Sequence, residues 1–212
     1  MKKLYVSICL LIVVAGVVTG AYFFLRPKES RFEGFRVLAI VAEGLDYGEL
    51  YGVNSTLMEE GIIMTTASFT TDGISGHRNY PRNYEPDIAF DEVSVSQYDT
   101  IFIPGGNGPE NIINHPEGQK VFDILIQAHN EGKIIVAICH GPWVLAAANI
   151  VDGMNVTCYN DADMVTDLLD SGANVDTSQM VVRDGNIITA NGPQAVNVFT
   201  EEIVSVLIEK HD

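Results

Sequence analysis

Lys133-Ile134-Ile135-Val136-Ala137-Ile138-Cys139-His140-Gly141-Pro142 is a run of buried-strand residues that stops at a cysteine and passes into an Ala-rich stretch, Pro142 to Ala148. Periodicity and the proline predict a strand that turns directly into a helix. Such a corner, with Ala137 two residues before and Gly141 two after, is a nucleophile-elbow pattern that lifts one reactive side chain above the sheet edge. Cys139 occupies it. A helix N-terminus and neighbouring backbone N–H groups favour thiolate over thiol, so a cysteine here gains nucleophilicity that a core cysteine lacks. The competing assignment is a buried structural thiol.

Outward from the elbow, the pattern alternates strand and helix. Phe35 to Ala42 reads as a buried strand, Glu43-Gly44-Leu45-Asp46 as a turn, Tyr47 to Glu60 as a helix closed by Gly61, and Ile62 to Ala67 as a second strand. Residues 68 to 97 are polar and turn-rich and predict a small hairpin or an irregular excursion near the site. Thr100 to Ile103 is a short buried strand running into Pro104-Gly105-Gly106-Asn107-Gly108-Pro109. A helix is expected over Pro116 to Asn130. Beyond the elbow come a short strand Val156 to Cys158, a helix Ala162 to Leu169, a hairpin Met180 to Ala190 around Asp184-Gly185, and a last helix from Pro193 to Glu209. This order predicts an α/β domain with a doubly wound, mostly parallel sheet and helices on both faces.

Parallel strands bring their carboxyl ends together, so the loops after the first strand, after Ile103 and after Ile138 converge at one edge. They carry Asp46 and Glu49, then Gly105, Gly106 and Glu110, then Cys139 and His140. A thiol nucleophile needs a proton acceptor and an oxyanion stabiliser, and these loops supply an acid and donor amides. Two glycines after a strand let backbone approach a ligand closely. The full dinucleotide spacing is absent and no Gly-Lys-Ser follows, so a phosphate cradle is disfavoured. His77, His115, His129 and His211 read as exposed loop, helix-face or tail residues.

The chain of 212 residues carries 12 Lys+Arg against 28 Asp+Glu. Three of the cations and none of the acids lie in residues 1 to 26, so the remainder is more acidic still. Such a surface disfavours nucleic acid and anionic lipid. Three cysteines are too few for a disulfide framework, and no Cys/His spacing suggests a metal site. Leu4 to Leu25 holds no charged residue and is long enough to cross a bilayer as a helix, with Lys2, Lys3 and Arg26 at its flanks. The continued apolar run favours a single-pass N-terminal anchor over a cleaved signal. The expected organisation is therefore an anchor in residues 1–26, a linker in residues 27–34, and a domain in residues 35–212, membrane-located with the side of the domain open.

Three motifs resemble the ThiJ/PfpI superfamily: Ala42-Glu43-Gly44-Leu45-Asp46-Tyr47-Gly48-Glu49-Leu50, Tyr98-Asp99-Thr100-Ile101-Phe102-Ile103-Pro104-Gly105-Gly106, and Ala137-Ile138-Cys139-His140-Gly141-Pro142. The similarity spans nearly all of residues 35 to 208. It implies a flavodoxin-like fold of the class I glutamine amidotransferase-like kind, with Cys139 as nucleophile and Glu49 as the acid on its sulfur. It also implies an oxyanion site at the amides of Gly106 and His140. In the peptidase-like branch a neighbouring subunit supplies a glutamate to the histidine after the cysteine. Glu110 matches that position, which implies a homodimer or higher homo-oligomer. The glutamine amidotransferases themselves add a later His-x-Glu pair, and none follows residue 141. The glyoxalase-like branch has a small residue after the cysteine and a histidine where this chain reads Thr157-Cys158-Tyr159, so His140 places the chain nearer PfpI. The resemblance implies cofactor-independent action on reactive carbonyls, of glyoxalase or deglycase type, or on peptide or amide bonds. Two other functions compete with it. One is a redox-sensing stress protein in which Cys139 oxidises without turnover, and the other is a scaffold module.

Overall fold

The computed structural model describes residues 32–77 and 83–211. Residues 34–212 form one compact unit, which holds the fold described below.

Strands β1 (Arg36–Ile40), β2 (Ile63–Ser68), β3 (Ile88–Ala89), β4 (Thr100–Ile103), β5 (Ile134–Ile138), β8 (Val181–Asp184) and β9 (Ile187–Ala190) form one sheet in the order β3-β2-β1-β4-β5-β9-β8. All neighbours are parallel except β8 and β9, the hairpin expected at Asp184-Gly185. Strands β6 (Asn155–Val156) and β7 (Asn174–Val175) pair separately. The β2-β1-β4-β5-β9 core has the flavodoxin-like order, in which the direction of winding reverses between β1 and β4. A crevice opens there at the carboxyl ends of the strands.

Burial on both faces explains why the central strands read as unbroken apolar runs: every residue of β4, β5 and β9 is buried. Along each strand successive side chains still alternate. Leu38, Ile40, Ile101, Ile103, Ile135 and Ala137 join one cluster, with Val121 and Leu125 of α3 (Gln119–Asn130), Val144 and Leu145 of α4 (Pro142–Ala147), and Met164 and Leu168 of α5 (Ala162–Asp170). The opposite residue set includes Phe102, whose ring meets Phe199 of α6 (Val196–His211) at 6.2 Å. Helix α1 (Tyr47–Glu59) shares that side with α6, and at their crossing a side chain on Gly52 would come within 2.7 Å of Val196. Doubly wound packing follows.

Two differences from the expected elements concern the site. The glycine-rich turn after β4 continues into a further helix, α2 (Gly108–Asn114), with a proline in its first turn. Pro fits the first helical turn, where its missing N–H goes unused. The helix expected from Pro116 begins at Gln119 instead, after a turn that the Gly118 N–H closes onto the His115 carbonyl (2.9 Å), and a Cβ on Gly118 would lie 2.5 Å from the Ile112 carbonyl oxygen.

The expectation of a membrane location is corrected: among the described residues no helix is long and apolar enough to cross a membrane. The stretch on which it rested, residues 4–25, lies outside the described residues.

Candidate active site

Cys139 follows β5 directly with φ 61°, one of two non-glycine residues in the left-handed region among those described. An L-residue held there costs on the order of 1–3 kcal/mol, which persists only where surrounding bonds over-determine the backbone. Here they do. The Cys139 N–H donates to the Ala190 carbonyl of β9 (2.9 Å), its carbonyl accepts from Tyr159 N–H (3.0 Å), and Gly141 N–H closes the turn onto Ile138 (2.8 Å). Gly141 has a steric reason to be glycine, since a Cβ would sit 2.4 Å from the Ile103 carbonyl oxygen. The elbow is thus clamped between β4, β9 and the segment after β6.

Glu49 arrives from the first turn of α1. Its neighbourhood reads Asp46-Tyr47-Gly48-Glu49, the spacing of a reciprocal capping box. Only half of that box forms. The Asp46 carboxylate accepts the Glu49 N–H (3.1 Å) and caps the helix, whereas the Asp46 N–H donates to the Gly105 carbonyl (3.1 Å). The Glu49 side chain is thereby released from capping. It is fully buried, accepts the Gly105 N–H at Oε2 (2.7 Å) and hydrogen-bonds Cys139.

These contacts set the electrostatics. Burial, and then the Asp46 charge, raise Glu49 to about 7, against the pull of the Gly105 and Cys139 hydrogen bonds. Burial and then the Glu49 charge push the Cys139 thiol up, while N–H groups of Gly106 and His140 work in the opposite direction. The carboxyl and the thiol are coupled, so the protonation state of each shifts the other. With the proton on Glu49 the repulsion on sulfur vanishes and the carboxyl O–H becomes a donor to it. Helix α4, six residues long, begins three residues beyond the cysteine, so the thiolate's support comes chiefly from the two individual amides.

The glycine pair is fixed by the same closeness. A Cβ on Gly105 would lie 2.6 Å from Cys139 Cβ and 2.7 Å from Glu49 Oε2. Gly106 has φ +80° and no room for a side chain against the Gly44 carbonyl (2.3 Å). Its N–H faces the sulfur.

His140 turns back over the elbow, with Nδ1 3.3 Å from Cys139 Sγ and its ring stacked on Tyr159 (5.1 Å). Burial lowers its pKa, Asp161 and Glu110 oppose that, and His77 adds to it. Glu110 itself is exposed on α2, outside the immediate contact shell of the sulfur. A cleft of about 490 Å³ opens over Cys139, lined also by Gly106, His140, Tyr159, His77 and Asn107.

Of the residues expected from sequence, Cys139, Glu49, Gly106 and His140 converge, and Glu110 is exposed on α2 with its charge acting on His140. Sequence reasoning missed His77 and Asn107. His77 comes from the excursion between β2 and β3, whose lack of periodicity gave no sign of which side chain faced the cleft.

The DJ-1/PfpI family model matches residues 35–206. A deglycase of Pyrococcus abyssi is 31% identical over 172 residues, covering 81% of this chain and 99% of its own. The deglycase PfpI of Pyrococcus furiosus is 30% identical over 172 residues, with the same shares. Among solved structures, DJ-1beta of Drosophila melanogaster superposes with a TM-score of 0.70 at 28% identity, over 80% of this chain and 88% of that one.

Proposed function

Because the chain belongs to the DJ-1/PfpI family, we propose that it is a cysteine-dependent, cofactor-independent enzyme acting on small reactive carbonyls or glycated products, of glyoxalase or deglycase type. The observation that carries this reading is a strained cysteine hydrogen-bonded to a buried carboxyl whose pKa stands at about 7, at the floor of a cleft sized for a small molecule. The two Pyrococcus relatives are named deglycases.

The chemistry follows from the contacts. With the proton on Glu49, the Cys139 thiolate adds to a carbonyl carbon, a C–S bond forms, and the π electrons move to oxygen. The Gly106 and His140 N–H groups hold that oxygen, and Glu49 delivers its proton to it, giving a neutral hemithioacetal and a carboxylate. For a 2-oxoaldehyde, internal proton transfer then yields a thioester, which water cleaves to a 2-hydroxy acid and free Cys139. A cleft of this size favours small carbonyls over an extended peptide.

The remaining assignments are proposals of the same reading. Residues 35–212 form the working domain, and Glu110 reaches the His140 of a neighbouring copy in a homo-oligomer. The test is a panel of methylglyoxal, glycated amines and peptides given to the full chain and to Cys139→Ala. Lactate from methylglyoxal in the wild type alone is expected. Hydrolysis of peptides without carbonyl turnover would overturn the reading, and so would reversible oxidation of Cys139 with no turnover at all.

A further inference from the structure

Three segments lie edge to edge above the carboxyl ends of β1 and β4. Residues 44–46 form the middle, and residues 105–107 flank them on one side through Asp46 N–H to Gly105 carbonyl (3.1 Å) and Asn107 N–H to Gly44 carbonyl (2.8 Å). Residues 75–77 flank them on the other through Gly44 N–H to Ser75 carbonyl (2.9 Å) and His77 N–H to Leu45 carbonyl (2.8 Å). Bridges Leu45 to Gly76 and Leu45 to Gly106 complete the ribbon. The backbone that presents the Gly106 amide to the sulfur therefore also holds His77. Its Cβ would be 3.1 Å from any Cβ placed on Gly106.

The His77 side chain lines the same cleft as Cys139 and His140, and its charge bears on the His140 ring. Its Nδ1 pairs with Asn107 Oδ1. In the tautomer whose Nδ1–H donates to that oxygen, the neutral ring keeps an Nε2 lone pair free for a ligand. An imidazole with one nitrogen locked and the other available, beside the oxyanion amide and across from the nucleophile, is equipped to move a proton on the substrate.

We propose that His77 is a second acid–base group of this site, and that Asn107 positions it. The proposal rests on the carbonyl reading above and adds to it the group that moves the second proton. In the hemithioacetal R–CO–CH(OH)–S–Cys139, two hydrogens must shift to give the thioester R–CH(OH)–CO–S–Cys139. Glu49, left as a carboxylate by the addition step, takes the hydrogen from the sulfur-bearing carbon as a proton, and the electron pair passes into an enediol. It then returns that proton to the neighbouring carbon. His77 Nε2 takes the proton from the hydroxyl on the first carbon and gives it to the oxygen on the second. Both carriers end as they began, and the step is an isomerisation needing no oxidant or reductant. A simple aldehyde lacks the second oxygen, so it bonds to Cys139 and goes no further.

The test uses the full chain with methylglyoxal, measuring the Cys139 adduct by intact mass and lactate by steady-state kinetics. His77→Ala and His77→Gln should form adduct at the wild-type rate while kcat for lactate falls about 10²-fold or more, with KM little changed. Added imidazole should restore part of the rate in His77→Ala but not in His77→Gln, where the larger side chain fills the space. Normal lactate formation by either variant would overturn the role of His77 and leave the carbonyl reading standing. Loss of adduct and lactate together would overturn it as well, by showing that His77 only supports the fold of the site. A wild type that forms no lactate would overturn both.

Discussion

The two cysteines of the described domain are both buried, and the difference between them lies in their neighbours. Cys158 follows β6 with no exposed surface, packed into the cluster that contains Met164 and Leu168. Burial, with the Asp161 charge added, raises its thiol to about 12. Cys139 is 7% exposed at the foot of a cleft and feels the same desolvation, yet it has a proton partner in Glu49 and two amides directed at its sulfur. Burial alone makes a thiol inert. Burial beside a carboxyl that is itself forced to hold a proton can make it a thiolate. The comparison teaches that Glu49 and the two amides are what set Cys139 apart from Cys158, and on the proposed reading they make it the reactive one of the pair.

The sharpest way to break that contrast is to delete each sulfur. Cys139→Ala should remove carbonyl turnover by a factor of roughly 10³ or more, since the nucleophile is then absent. Cys158→Ala should leave kcat unchanged and cost about 1 kcal/mol of unfolding free energy through a small cavity. Alkylation mapped by mass spectrometry should label Cys139 and spare Cys158 in the folded protein. Equal labelling would erase the distinction.

Glu49→Gln tests the proton partner. Turnover should fall about 10²-fold, because the amide neither accepts nor delivers the proton. Stability should change as well, with a defined sign. A carboxyl raised from 4.5 to about 7 by burial and Asp46 contributes stability that is fully present below its unfolded pKa and lost as pH rises through 7. The loss amounts to about 3 kcal/mol by the linkage relation. Denaturant unfolding should therefore show the wild type weakening between pH 4.5 and pH 8, and Glu49→Gln flattening that dependence. A wild-type curve that strengthens over this window would mean that Glu49 is ionised in the fold.

The smallest effect is expected at Asp46. Asp46→Ala removes the cap on α1, at a cost of about 1 kcal/mol. It also removes the charge that is the second cause of the Glu49 shift. The pH dependence of unfolding should move toward lower pH by less than the whole Glu49 effect, since burial remains. An unchanged midpoint would assign the shift to burial alone.

Much of the scaffold was legible in the residues. Lys133 to Ile138 and Thr100 to Ile103 are apolar without alternation because helices cover both sheet faces, and their boundaries fell within a residue of those expected. The hairpin at Asp184-Gly185 carried its own turn chemistry. Helix α2 was hidden because a glycine-rich turn leads into it and it spans only seven residues, too few for a helical period to emerge. Strands β3 and β7 have two residues each and owe their form to a partner strand. Asp46-x-x-Glu49 announces a helix start, and nothing local reveals that Glu49 turns inward.

By itself, then, the sequence determined the winding of the sheet, the corner at Cys139 and the loops that share its edge. Periodicity, glycines and turn residues act over a few neighbours and are written in order along the chain. Tertiary structure decided which side chains meet at that edge. The Gly105 N–H and the crowding around it draw Glu49 out of its capping box, and the ladder from Ser75 through Leu45 to Gly106 carries His77 to the cleft from a segment with no periodicity. Those contacts join residues tens of positions apart, and their energies depend on burial and shared hydrogen bonds that exist only once the sheet has closed.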